Sequence, residues 1–157
     1  MELQRMTPTR IVCRVHAPRE AVYRALLDAR AVAKWMVPCG MTSHVHDFEP
    51  HEGGSFRISL TYEMPTGMGK TSGPDRTFHG RFVKLVENRQ VVQVVEFETQ
   101  DPAMRGEMTI TCALADAEGG ADVLWEHDGI PRGVSPADNE LGSRMALAKL
   151  ATLVEAG

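Results

Sequence analysis

The spacing of apolar residues changes period twice along this chain, and each period points to a different element. Residues 11–16, Ile-Val-Cys-Arg-Val-His, alternate as a strand with Ile11, Cys13 and Val15 on one face. Ala17-Pro18 ends that pattern. Pro18 suits the first turn of a helix in which Ala21, Val22, Ala25 and Leu26 recur at helical spacing through Asp28. A second short helical piece gathers Val32, Trp35 and Met36 before Pro38 stops it. From residue 44 the period becomes two. In 55–64, Phe56, Ile58, Leu60, Tyr62 and Met64 share one face, and Arg57, Ser59, Thr61 and Glu63 share the other, the mark of a half-buried antiparallel strand. Gly53-Gly54 before it reads as a turn, and the Gly/Pro/Ser/Thr-rich stretch 65–76 as a surface flap. Further strands are expected over 77–86, 89–99, 106–115 and 121–128, with hairpin turns at Asn88 and Gly119-Gly120.

The last segment has the clearest start signal. Ser135 supplies a capping hydroxyl, Pro136 the first helical position, and Asp138 an acid three beyond the cap, opening a helix that runs to about residue 155. Leu147, Leu150 and Val154 form one stripe, and Leu141, Met145 and Ala148 another roughly opposite. Such a helix needs cover on more than one side. The order of elements gives an α+β architecture: an antiparallel sheet of six or seven strands wrapped around a long C-terminal helix.

Composition narrows the class. The 157 residues are 43% hydrophobic and 24% charged, which excludes disorder as the main state and suits a single domain spanning 1–157. A net charge of −4 argues against a nucleic-acid binder, which needs a basic surface. Residues 1–36 carry seven basic and three acidic side chains, while the remainder carries ten and eighteen, so any basic patch is local. Cys13, Cys39 and Cys112 have neither zinc-ligand nor paired-disulfide spacing and read as small hydrophobes in a reducing compartment. No run is long and apolar enough to span a membrane, and residues 1–5 lack the apolar core of a signal peptide. A cytoplasmic location is expected.

Six short motifs, in order, resemble those of the SRPBCC (START-like) superfamily, in the branch related to the activator of the heat-shock chaperone ATPase (AHSA1-like). Ala17-Pro18-Arg19-Glu20-Ala21-Val22-Tyr23-Arg24-Ala25 resembles the superfamily's opening "AP-x-x-x-V-x-x-A". Trp35-Met36-Val37-Pro38 is similar to that branch's "W-W-x-P", and Glu49-Pro50-His51-Glu52-Gly53-Gly54-Ser55-Phe56-Arg57 to its "D-x-R-P-G-G-x-F-R". His79-Gly80-Arg81-Phe82, His127-Asp128-Gly129-Ile130-Pro131 and Asn139-Glu140-Leu141-Gly142 resemble its later motifs. The resemblance implies a helix-grip (Bet v 1-like) fold with an elongated apolar cavity between helix and sheet; fold alone does not fix function. There are two departures. His51-Glu52 replaces Arg-Pro at a surface turn, and Gly142-Ser143 stands where the branch has Gly-Trp. Position 143 shares the stripe of 147, 150 and 154, so a serine there leaves interior volume for a guest, water or repacked neighbours.

Several residues invite chemistry. Gly69-Lys70-Thr71 lacks the earlier glycine of a phosphate loop, since Met64 occupies it, and Ser72-Gly73-Pro74 prevents a following helix. His44 and His46 share one strand face, yet no third metal ligand converges on them, so solvated edge histidines are the plainer reading. Glu96 and Glu98 should face solvent, because Val95 and Phe97 claim the other side. His127 shares the face of Val123 and Trp125 and should point inward, with Tyr62 as one candidate partner. A structural histidine bonded to backbone or water competes with that reading. Nine methionines are many for this length, and thioethers fill irregular volumes that admit varied apolar guests.

The function expected is binding of a small, largely hydrophobic molecule between sheet and helix. The residues expected to contact it are Trp35, Phe56, Tyr62, Phe78, Met108, Trp125, His127, Ser143 and Leu147. No catalytic residue, metal or cofactor is expected, and whether a reaction is catalysed stays open. The alternatives are a protein-interaction module of the chaperone-ATPase activator type and a cyclase- or hydrolase-like enzyme. A homodimer also stays open.

Overall fold

The computed structural model describes residues 8–37, 40–62 and 76–156. Strand β1 (Thr9–Val15) leads into helices α1 (Arg19–Leu26) and α2 (Ala29–Trp35). Six strands follow: β2 (Met41–Phe48), β3 (Ser55–Tyr62), β4 (Arg76–Val86), β5 (Gln90–Phe97), β6 (Met108–Ala117) and β7 (Gly120–Asp128). Helix α3 (Pro136–Glu155) closes the chain of elements, and a 3-10 turn at Pro102–Met104 precedes β6. The strands form one antiparallel sheet in the order β1-β7-β6-β5-β4-β3-β2. The α+β helix-grip architecture expected from the sequence is the one observed, with seven strands. The flap expected over 65–76, including Gly69-Lys70-Thr71, lies outside the described residues except for Arg76, which begins β4. Met64 and Cys39 lie outside them as well.

Local chemistry sets the boundaries. Asp28 ends the first helical run and caps the second, accepting hydrogen bonds from the backbone N–H groups of Arg30 and Ala31 at 2.9 and 3.4 Å. Ser135 caps α3 through its hydroxyl, which accepts from Asp138 N at 3.3 Å. Asn88, at φ 61°, turns β4 into β5. Gly80 is required on β4: a Cβ there would run into the Val94 carbonyl oxygen and press on Phe56, so only glycine lets that ring cross the strand.

The core lies between the concave sheet and the helices. Val15, Val22, Phe82, Val123 and Leu150 are wholly enclosed, and Phe82 packs against Phe48 and Phe56 at ring separations of 5.5 and 5.3 Å. Helix α3 runs antiparallel to β7. Its first turn meets the end of β7 through Asn139 and His127, and Glu155 near its other end accepts from His16 N at 2.8 Å just past β1. Two sequence expectations need correction. Ser59, assigned to the polar face of β3, is buried because His46 and Thr77 reach its hydroxyl at 2.8 and 2.7 Å. The stripe of Leu141, Met145 and Ala148 is not covered by protein: Leu141 is 54% exposed, and Leu141 and Met145 border a cleft. No helix among the described residues is long and apolar enough to cross a membrane.

Candidate functional site

Between the sheet and the first half of α3 lies a cleft of about 560 Å³, a size typical of small-molecule sites. Period-two alternation brings Leu60, Phe78, Val95, Met108, Ile110 and Trp125 onto its floor from five adjacent strands. The helix contributes Asn139, Gly142, Ser143, Met145 and Ala146. Four methionines, Met36, Met104, Met108 and Met145, line it, giving walls that are polarizable and adaptable.

One end is polar. His127 points inward and is held on both ring nitrogens: Nε2 lies 3.2 Å from the Met108 sulfur and Nδ1 3.1 Å from the Asn139 amide nitrogen. A thioether only accepts, so in the tautomer that bonds Met108 Nε2 carries the proton, and the Asn139 amide, placed with its nitrogen toward Nδ1, donates to it. Burial pushes the His127 pKa down to about 4, only partly offset by the hydrogen bond with Asn139 and by Asp128 nearby, so the ring is neutral at ordinary pH. Beyond it, the Trp125 indole N–H and the Asn139 carbonyl oxygen are buried with no hydrogen-bond partner among the described residues.

Of the nine expected contacts, Phe78, Met108, Trp125, His127 and Ser143 line the cleft. Ser143 is 9% exposed and faces the sheet. Trp35, Phe56 and Leu147 do not line it, because each is placed one layer deeper. Trp35 donates from Nε1 to the Ala25 carbonyl at 3.0 Å and braces Trp125 edge-on, with centroids 6.1 Å apart. Phe56 is sealed beneath Gly80 beside Phe82, and Leu147 is packed into the core one turn past Ser143. Tyr62 ends β3, and its side chain lies outside the described residues. The partner of His127 is Asn139, which sequence reasoning missed although Asn139 and Ser143, four apart on a helix, share a face. Phe97, Met104 and Val134 also line the cleft and were not anticipated.

The other candidates lie elsewhere. Glu98 pairs with Arg57 through two bonds of 2.8 and 3.0 Å and with His79 at 3.0 Å. Its carboxyl is lowered to about 2, chiefly by the Arg57 guanidinium, so it is held ionised within a surface network. His44 and His46 stack edge to face at 4.5 Å on β2, an edge strand. No group of three or more metal-ligating side chains occurs among the described residues. Burial raises the Cys112 thiol to about 12, leaving it protonated and unreactive.

A curved antiparallel sheet gripping a long helix over a largely apolar cleft defines a START-like, helix-grip protein. Over residues 16–155 the chain matches the family described as Activator of Hsp90 ATPase homolog 1-like protein, and it belongs to that family. A crystal structure of a protein from Chromobacterium violaceum is similar at 32% identity, covering 94% of this chain and 96% of that one, with a TM-score of 0.83. A Rhodobacter sphaeroides protein shares the fold at 21% identity and TM-score 0.77, over 96% of this chain and 93% of its own. An AHSA1-like protein from Aeromonas hydrophila does so at 18% identity and TM-score 0.71, with coverage of 96% and 93%. No curated protein matches the sequence.

Proposed function

We propose that the protein binds a small, largely hydrophobic molecule in the cleft between the sheet and α3. The observation that carries this reading is the cleft of about 560 Å³, floored by aromatic, aliphatic and methionine side chains and polar at one end. Phe78, Met108, Trp125, His127 and Ser143 are the contacts assigned to it. Desolvating an apolar guest against such walls contributes about 25 cal/mol per Å² of apolar surface removed from water. The free thiols of Cys13 and Cys112 suit a reducing compartment, and we assign the activity to the cytoplasm.

The family's description names a chaperone-ATPase activator, and a protein-interaction role would draw on an exposed apolar patch. Outside the cleft, the large exposed hydrophobic residues are Val12 and Val83. They sit on β1 and β4, separated by three strands, so the described residues outside the cleft offer no contiguous apolar patch. That favours the cleft.

Native mass spectrometry of the purified protein and a thermal-shift screen of apolar metabolites test the reading. The expected result is an adduct, or a stabilisation of about 2.7 kcal/mol when ligand reaches a hundred times its Kd. An empty protein that no apolar compound stabilises, together with stimulation of a chaperone ATPase, would transfer the function to the protein surface.

A further inference from the structure

The polar end of the cleft specifies more than apolarity. His127 and Trp125 lie two residues apart on β7 and face the same way, and Asn139 and Ser143 lie four residues apart on α3. Two strand residues advance about 6.6 Å and four helical residues about 6 Å. The bond between Asn139 and His127 joins the two elements, and Ser143 and Trp125, a similar step further along each, line the same cleft. Four side chains from two elements converge at one end of one cavity.

Their hydrogen-bonding capacities are complementary rather than alike. His127 is fully engaged by Met108 and Asn139. What remains is one donor, the N–H of Trp125, whose side chain is nearly sealed at 4% exposure, and one acceptor, the Asn139 carbonyl oxygen. The Ser143 hydroxyl can serve in either direction. A buried donor or acceptor without a partner costs about 1–3 kcal/mol. A guest that satisfies both Trp125 and Asn139 recovers that cost; one that satisfies neither does not.

We infer that this end of the cleft is a socket for an uncharged head group that both accepts and donates a hydrogen bond, an alcohol or a primary carboxamide, carried on an apolar body. The inference rests on the proposed binding function and names the class of its ligand. A carboxylate only accepts, so it would set a negative oxygen against the Asn139 carbonyl. An ammonium only donates, so it would face the indole N–H. A hydrocarbon leaves both groups unpaired. Neutral His127 supplies no counter-charge to either ion; the charged side chains that line the cleft are Arg76, whose guanidinium lies 5.1 Å from the Phe97 ring centroid, and Asp138, and neither is bonded to Trp125 or Asn139.

The test uses head groups varied on fixed bodies: naphthalene, 2-naphthol, 2-naphthamide and 2-naphthoate, with octan-1-ol, octanamide and octanoate, titrated at pH 7.5 by calorimetry. The chain has two tryptophans, so nitrogen–proton correlation spectra report two indole N–H signals, one already bonded to Ala25. The alcohol and amide are expected to bind roughly tenfold or more tightly than the matched carboxylate or hydrocarbon. The Trp125 indole proton should move downfield on binding while that of Trp35 stays. Trp125→Phe keeps the ring, removes the donor and should flatten the preference; if it does not fold, the probe series and spectra of the parent still decide. Equal binding of naphthalene and 2-naphthol with the Trp125 signal unmoved overturns the socket and leaves the cleft reading standing. Tightest binding by a carboxylate also overturns the socket. Binding by none of the probes overturns both.

Discussion

The two halves of α3 are built from one helix but live in different surroundings. From Ala146 onward the helix is gripped: Leu147 is 2% exposed, Leu150 is wholly buried, and the packing partners of the helix are β1, α1 and α2. Before Ala146 it rides above the cleft. Leu141 stands in solvent, a Cβ added to Gly142 would meet nothing within 4 Å, and Ser143 presents a hydroxyl where the related branch is expected to carry a large ring. Large apolar side chains fill the space under one half, whereas Gly142 and Ser143 leave space unfilled under the other. Small side chains on this helix, at Gly142 and Ser143, contribute to the volume of the cleft.

Substitutions that trade the properties of the halves test this contrast. Leu150→Ala should lose about 2–5 kcal/mol by opening a cavity in the gripped half, whereas Leu141→Ala should stay within about 0.5 kcal/mol; urea unfolding of both variants measures the gap. Acid should weaken the junction where the riding half begins. The unfolded His127 ring takes up a proton near 6.5 and the folded one near about 4, so between those values the unfolded state holds more protons and stability falls as pH falls. Stability from this group is full above pH 6.5 and declines by up to about 3 kcal/mol toward pH 4. His127→Gln should remove that part of the pH profile relative to the parent.

Ser143→Trp should make the riding half resemble the gripped one, raising the empty protein's stability by about 1–2 kcal/mol while weakening any cleft ligand. A variant less stable than the parent would mean that the space is already filled. The smallest effect belongs to Gly142→Ala, which meets open space and should stabilise the helix by about 0.5–1 kcal/mol, read as a small rise in the urea midpoint.

The same contrast marks how far the sequence could be read. Alternation in 55–60 and 121–127 fixed which side chains face inward, and the Ser135 cap fixed where α3 starts. Alternation gives the face of a sheet, not the depth at which a residue sits along it. Phe56 therefore reads like Phe78 and Trp125 until Gly80 shows it sealed one layer below the cleft; Trp35, on α2, is placed there by its bond to Ala25. Helical periodicity has a matching blindness: Leu141 and Met145 look like residues awaiting protein cover, because an apolar stripe is the same whether it meets a sheet or borders a cavity. Asn139 escaped notice as the partner of His127 because their contact joins two elements across an intervening loop, and spacing carries no record of such a meeting.

The outer position of β1 has a consequence in time. Strands β2 to β7 follow one another as successive neighbours, so each pairing closes a short loop. β1 instead pairs with β7, Thr9 opposite His127, across about three quarters of the sequence. Closing so long a loop costs entropy before its contacts repay it. The meander can therefore assemble ahead of β1, and the strand that carries Trp125 and His127 gains its second neighbour last. On a ribosome, β1 emerges well before β7 and waits for it, so the cleft is completed only when these two distant segments meet. Folding kinetics should show this as small φ-values for substitutions in β1, such as Ile11→Val, beside larger ones in β6 and β7.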